Sequence, residues 1–588
     1  MYENNNYYQL VKRYPAVSRR SLLASAMLGL AALPAASGTA SEKLPEKPNV
    51  IFILTDDQGY GDLSFHGNPV LKTPHMNKLA EKSVRFEDFV VSPSCSPTRC
   101  ALMTGMHEFK SGVTHTIKGR DHMSLDSVTV ADMLKRGGYA TGMFGKWHLG
   151  KEKAYRPEKR GFDIAMTTVG DSQKPHFNPT MLRNGKEEKH KGYRTDILFR
   201  EAIRFIDGHK DRPFFCYLAT YSPHSPLVAP EKYVNLYNGK VTDQQATFMG
   251  MVTNIDDNIG KLLLHLEKSG LAKKTLIILM NDNGGTFGVD VWNAGMRGHK
   301  GNAWYGGTRA LSFWHWPGVL KPGTVSDLTG HVDLLPTLAE IGGVKLEKGH
   351  RKKLNGFSLV PLLTGGSSPQ PERMLFSHVG RWRTGSGRRH KHALCGVRYK
   401  QYHLVSNAPC AYAFCRGECR FSRRIMNGTM KGGYSTKKRA FNAKVTEPGQ
   451  WLLFDVQGDL AQEKNIAEKH PEIVAKMSKA YDAWWGEVSV DWPHKTERTF
   501  EGTLHSTLDA RGKPSPRYYI LKLASGDEIP ISQPGVHNGY GWTKEKVPQL
   551  KPFTDARVKI KALAYNETKG SKPLVVVRVT GIERIERH

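Results

Sequence analysis

Three stretches of unbroken apolar residues mark the first half of the chain, and each ends on side chains able to do chemistry. Asn49-Val50-Ile51-Phe52-Ile53-Leu54 runs into Thr55-Asp56-Asp57, and Thr275-Leu276-Ile277-Ile278-Leu279-Met280 into Asn281-Asp282-Asn283-Gly284-Gly285. A third run, Arg212-Pro213-Phe214 to Ala219, ends near His224. Short apolar runs with polar ends predict strands buried on both faces, with the polar residues at their carboxyl ends. Between them, apolar positions recur at helical spacing over 74–82, 127–136, 195–208 and 243–268. Alternating strands and helices predict an α/β fold around a large, mostly parallel sheet. Such sheets bind ligands beyond the carboxyl ends of their strands, where these carboxylates and His224 fall.

The pattern changes after about residue 370. Short β-like pieces (393–405, 451–456) and an amphipathic helix over 471–488 predict a smaller α+β subdomain, and from about 500 only β-like runs such as 517–523 and 573–579 remain. The expected organisation is therefore a targeting segment (1–40), an α/β domain (41–375), an α+β subdomain (376–495) and a β-rich module (496–588).

Residues 12–40 carry Lys12-Arg13, then Arg19-Arg20-Ser21-Leu22-Leu23, an apolar stretch to Leu33 and small residues to Ala40. That is the layout of an export signal, and the paired arginines resemble a twin-arginine signal although Leu22 and Ala24 depart from it. No stretch reaches the roughly 18 apolar residues of a membrane-spanning helix, so a periplasmic or extracellular protein handled by bacterial export machinery is expected.

Charge adds a partner class. The 588 residues include 85 Lys+Arg and 55 Asp+Glu, a net +30. From 381 to 445 there are 16 Lys/Arg and one acid, Glu418, so about half of the excess lies in that segment. A nucleic acid, a sulfated polysaccharide or simply a solvated basic face would each account for it. A hydrophobic fraction of 39% with 11 Trp excludes a disordered chain. Export permits disulfides, and Cys395, Cys410, Cys415 and Cys419 could form two; zinc is the weaker alternative, and Cys216 reads as a buried strand thiol.

Asp56, Asp57, Asp282 and Asn283 offer hard oxygen ligands for Ca²⁺ or Mg²⁺ if their strands are neighbours, although Asp-Asp and Asp-Asn-Gly also occur as ordinary turns. The sequence Cys95-Ser96-Pro97-Thr98-Arg99-Cys100-Ala101-Leu102-Met103-Thr104-Gly105 adds a C-x-P-x-R signature. Companion motifs stand at Asn49–Asp57, Gly145-Lys146-Trp147-His148-Leu149-Gly150, Pro223-His224-Ser225-Pro226, Asn281-Asp282-Asn283-Gly284 and Arg297-Gly298-His299-Lys300-Gly301. Taken together, over about 46–490, they resemble the formylglycine-dependent sulfatases of the alkaline-phosphatase-like superfamily.

The resemblance implies hydrolysis of sulfate esters on an alkaline-phosphatase-like sandwich, one Ca²⁺ held by Asp56, Asp57, Asp282, Asn283 and residue 95, and conversion of Cys95 to formylglycine by a maturation enzyme. It implies that one hydroxyl of the hydrated aldehyde attacks sulfur and the other then releases sulfate. Arg99 would hold the nucleophile ionised, Lys146 and Lys300 would bind sulfate oxygens, His148 would take a proton during release, and His224 would bind substrate and protonate the leaving alcohol. Asn302, Trp292 and Trp304 could line the substrate site, with core packing the alternative for both Trp residues. Two positions depart from the family pattern: Tyr305-Gly306-Gly307-Thr308-Arg309, where Glu often leads, and Cys100, where Ala is usual. The basic segment, export and family habit together favour a sulfated carbohydrate as substrate. A phosphomonoesterase or phosphodiesterase of the same superfamily and a non-catalytic polyanion-binding protein are the alternatives; no nucleic-acid-binding motif is present.

Overall fold

The computed structural model describes residues 44–45, 47–116, 120–382, 387–408, 446–447, 449–489, 496–508, 514–524, 528–532, 551–566 and 574–585. A ten-stranded sheet dominates them. In spatial order its strands are Gly323–Val325, Val84–Phe86, Ser312–His315, Thr275–Asn281, Asn49–Asp56, Phe214–Pro223, Ala140–Gly145, Ile164–Thr168, Thr180–Arg183 and Lys186–Lys189. The centre is parallel: Ile53 lies abreast of Leu218 on one side and Leu279 on the other, and Gly142 abreast of Cys216. Antiparallel pairs lie toward the flanks, where Ser312–His315 meets Thr275–Asn281 and the last three strands form a meander.

The unbroken apolar run of the central strand is two interleaved faces, because successive side chains point to opposite sides. Val50, Phe52 and Leu54 join a core with Leu102, Met103, Leu134, Leu335 and Leu338. Ile51 and Ile53 join a second core with Met76, Leu79, Ile197, Leu198, Ile255 and Leu262, from helices Pro74–Glu81, Arg194–Asp207 and Asp243–Lys268. Helices therefore cover both faces, as the pattern requires. The longest helix starts where Thr242 and Gln245 cap each other reciprocally. The helix expected over 127–136 starts later, at Val130, because Thr129 is extended and caps it with Asp132.

The piece expected as β over 393–405 is a hairpin, Cys395–Tyr399 with Tyr402–Ser406, turning at Lys400 (φ 50°). With Leu375–His378 and Leu452–Asp455 it forms a four-stranded antiparallel sheet. Helix Pro471–Ser489 buries Met477, Tyr481 and Trp484 against Val397, Leu404 and Leu453 of that sheet. A further antiparallel sheet, in the order Glu528–Ser532, Pro514–Leu523, Thr496–Leu508, Arg557–Asn566 and Leu574–Arg584, closes on Leu504, Tyr519, Leu521, Val558 and Ile560.

No helix among the described residues is long and apolar enough to cross a membrane. The export segment, most of the basic segment and Cys410, Cys415 and Cys419 lie outside the described residues. Cys395 is a buried free thiol, as is Cys216 in its strand.

Candidate active site

The parallel register assembles the acidic half of the site. Thr55 pairs with Asn281, so the two strands end side by side. Asp56 closes its strand, and Asp57 turns off it in the left-handed region (φ 68°). Its backbone N–H donates to Asp282 Oδ1 at 3.1 Å, and Asn283 Nδ2 donates to Asp57 Oδ1 at 3.1 Å. Asp56, Asp57, Asp282 and Asn283 are all buried.

Cys95 begins the helix Cys95–Thr104, which every residue buries and which Gly105 ends at φ 66°. A helix amino terminus carries partial positive charge, which favours an anion at residue 95. One turn on, Arg99 donates from Nη2 to Asp282 Oδ2 at 2.9 Å and from Nη1 to the Lys146 carbonyl at 2.8 Å. Lys146 follows strand Ala140–Gly145, whose last residue must be glycine: a Cβ there would meet the Ala219 carbonyl oxygen at 1.7 Å. Lys146 Nζ lies 2.8 Å from Asp56 Oδ2 and 3.7 Å from Cys95 Sγ.

His148 Nδ1 faces Cys95 Sγ at 3.4 Å, while Nε2 lies 2.9 Å from the Thr116 carbonyl. A carbonyl only accepts, so Nε2 carries the hydrogen and the neutral ring presents Nδ1 as an acceptor toward residue 95. His224 is the mirror case. Its Nδ1 donates to the Ser225 carbonyl at 2.5 Å, and Nε2 points toward Asp57 Oδ2 at 3.6 Å. Lys300 Nζ sits 2.5 Å from Asp57 Oδ1. The ten side chains expected as metal ligands and catalytic groups thus converge.

Their charges are mutually adjusted. Burial pushes the Cys95 thiol up, but Lys146, Lys300 and His148 outweigh it and hold it well below its ordinary value. Burial opposes ionisation of Asp56 and Asp57 too, yet Lys146 beside the first and Lys300 beside the second keep both below the usual carboxylate range. Asp282 goes the other way, raised by burial and by Asp56 despite Arg99. Burial lowers His224, whereas Cys95 overcomes burial to raise His148.

The residues fit a hard divalent cation. Asp56, Cys95 and Asp282 bring donor atoms within 4.8 Å of one another. Asp56 Oδ1 and Asn283 Oδ1 are buried with no hydrogen bond among the described residues. Carboxylate and amide oxygens in that number match the preferences of Ca²⁺ or Mg²⁺.

Several neighbours had no signal in the sequence. Gln173 Nε2 donates to Asp56 Oδ2 at 3.4 Å, Ser96 Oγ to the His148 carbonyl at 2.7 Å, and Asp171 Oδ2 accepts the His148 N–H at 2.7 Å. Of the residues proposed to line the substrate site, Trp304 is core, against Val405, Leu452 and Phe454. Asn302 is buried and accepts the His299 N–H. Trp292 is exposed, its indole N–H on the His66 carbonyl. Tyr305 is buried with its hydroxyl on Asp88, and Gly306 and Gly307 let Gly284 approach so closely that a Cβ there would lie 2.2 Å from the Gly306 carbonyl oxygen. Tyr305, which stands where the family often has Glu, is thus a packed residue whose hydroxyl is committed to Asp88.

Residues 48–344 match the family model described as Sulfatase. Mouse (Mus musculus) arylsulfatase J is 29% identical over 496 residues, covering 79% of this chain and 79% of that protein. Human (Homo sapiens) arylsulfatase A is 32% identical over 399 residues, covering 60% of this chain and 72% of that protein. Among solved structures, Ps i-CgsB in complex with k-i-k-neocarrahexaose superposes with a TM-score of 0.62 at 26% identity, over 75% of this chain and 93% of that one.

Proposed function

This chain belongs to the sulfatase family and is a sulfuric ester hydrolase, and from that premise we propose that it is exported and removes sulfate from a carbohydrate, using formylglycine made from Cys95 beside one Ca²⁺. The observation that carries most weight is the setting of residue 95, at a helix amino terminus with Lys146 and His148 on it and two acids close by. Cys95 Sγ stands in for the oxygens of the matured residue.

A hydrated formylglycine would supply both an attacking hydroxyl and a second hydroxyl for release. Calcium held by Asp56, Asp57, Asp282 and Asn283, with residue 95, would stabilise negative charge on oxygen there. The chain's own groups do the rest. Arg99, pinned between Asp282 and the Lys146 carbonyl, keeps a cation near residue 95 without needing to move. Lys146 and Lys300 enter from two sides and suit the non-bridging sulfate oxygens, where charge grows in the transition state. His148, with Nε2–H committed to Thr116, takes a proton at Nδ1. His224, with Nδ1 committed to Ser225, gives its proton from Nε2 to the leaving alcohol. Burial, which lowers the His224 pKa, makes its imidazolium a readier donor.

The carbohydrate preference is supported by the basic segment within 381–445 and by the oligosaccharide complex of Ps i-CgsB. Sulfate release should be measured on a panel of sulfated oligosaccharides and on an aryl sulfate. A kcat/KM at least about a hundredfold higher for one of the sugars supports the proposal, a difference of about 2.7 kcal/mol in transition-state binding. An aryl sulfate turned over as well as every sugar tested would refute it.

A further inference from the structure

Building on the role assigned to His148 above, we propose that Asp171 is a positioning residue for that histidine. Its carboxylate holds the His148 backbone in the turn that aims Nδ1 at residue 95. His148 sits at φ 58°, a left-handed conformation that strains a non-glycine residue and persists only where neighbours enforce it. The hydrogen bonds around it supply that enforcement. Asp171 Oδ2 accepts the His148 N–H at 2.7 Å, and Oδ1 receives the Trp147 N–H at 3.4 Å. From the other side, Ser96 Oγ donates to the His148 carbonyl at 2.7 Å and the Thr116 carbonyl takes the ring N–H.

Asp171 is itself held. It lies in a sharp turn after strand Ile164–Thr168, at φ 54° behind Gly170 at φ 62°. Tyr221 donates its hydroxyl to Asp171 Oδ1 at 2.7 Å, and the same hydroxyl accepts from the Thr168 N–H and Oγ1 at 3.0 and 2.9 Å. Tyr221 belongs to the sheet strand Phe214–Pro223 that leads to His224. The rigid sheet therefore reaches His148 through Tyr221 and then Asp171. Among the described residues Asp171 hydrogen-bonds Tyr221 and the Trp147 and His148 N–H groups, and neither Cys95 nor a proposed metal ligand, so it acts on the site by holding that backbone, most tightly at His148.

The test is a cycle of Asp171→Ala, His148→Ala and the double variant in the matured, calcium-loaded enzyme, with kcat and KM measured on one sulfate ester. Loss of alignment by about 1 Å costs on the order of a hundredfold in rate. Asp171→Ala should lower kcat by roughly that factor with KM within about threefold, and add little once His148 is already Ala. Asp171→Asn, which keeps the shape and one acceptor, should regain part of the rate, and it carries the test should the Ala variant not fold. A kcat within about twofold of the parent for Asp171→Ala, or losses that multiply fully in the double variant, would overturn the proposal. The catalytic assignment of His148 fails separately, if His148→Ala itself keeps parental kcat.

Discussion

Arg99 Nη2 lies 2.9 Å from Asp282 Oδ2, and neither side chain exposes any surface. The pair joins the helix that carries Cys95, the proposed nucleophile, to the strand end that carries the proposed metal ligands, and so ties the positions of the two together. Breaking a buried pair by removing one partner costs about 3–5 kcal/mol, because the other charge is stranded. Arg99→Ala should lower the unfolding free energy by roughly that amount and abolish turnover. Arg99→Lys restores the charge without the planar fork that reaches both Asp282 and the Lys146 carbonyl, and should recover stability better than activity. Urea midpoints and kcat on the same preparations check both.

Calcium should stabilise the fold as well as support turnover. Binding to the folded state alone adds about 2.7 kcal/mol when free ion exceeds Kd a hundredfold. Dialysis against a chelator should therefore lower the Tm and the activity together, and added Ca²⁺ should restore both. Asp282→Asn should blunt the response of Tm to Ca²⁺, since it removes an anionic ligand oxygen from the proposed site.

Acid should destabilise the protein through a cluster next to the helix that carries Cys95. Ser92 Oγ donates to Glu108 Oε1 at 2.6 Å, with His107 and His331 beside the same carboxylate. Burial raises the Glu108 pKa, but His107, His331 and Ser92 outweigh it and bring it down to about 2; burial pushes His107 down to about 4. Both folded-state values lie below the unfolded ones, so the unfolded chain binds more protons. Stability from His107 is then complete above about 6.5 and lost toward 4, and that from Glu108 is complete above about 4.5 and lost toward 2. Glu108→Gln should flatten the lower limb of a plot of stability against pH, leaving the limb between 6.5 and 4.5 in place.

Much of this site was legible from pattern. The runs ending at Asp56 and Asn281 read as strands because both faces of each are covered, and the parallel register then brings Asp57 onto Asp282. Other parts carried no period to read. The helix Cys95–Thr104 is buried on every side, so no polar face marks it. Asp171 and Gln173 arrive on an irregular turn, and only the fold brings them to His148 and Asp56. Strand Ser312–His315 pairs antiparallel in a sheet expected to be mostly parallel, which four residues cannot announce. Trp304 packs in the core rather than lining the site, a choice its sequence neighbours left open.

Cys100 shows the contrast with Cys95 one helical turn away. Burial and Glu108 push its thiol well above the ordinary range, outweighing Arg160. Alkylating reagent at pH 8 should leave Cys100, Cys216 and Cys395 unlabelled in the folded protein, since all three are buried thiols raised by burial. Cys100→Ala should keep kcat within about twofold. Peptide mapping after alkylation, with and without denaturant, reads the first outcome, and steady-state rates read the second.

If the basic segment gathers a sulfated polymer, salt should weaken that step selectively. The Debye length falls from about 10 Å at 0.1 M to about 3 Å at 1 M. The kcat/KM on a long sulfated polysaccharide should drop steeply over that range, while a monosulfated small substrate changes little. Parallel salt curves for the two substrates would remove the segment from substrate capture.

Whether residue 95 is matured decides the mechanism. The most direct measurement is the mass of the tryptic peptide Phe86–Arg99 from protein expressed beside a working maturation enzyme. Conversion of Cys95 to formylglycine predicts a peptide about 18 Da lighter than encoded that reacts with hydrazide. An unmodified thiol at residue 95 in protein that fully hydrolyses sulfate esters would contradict it.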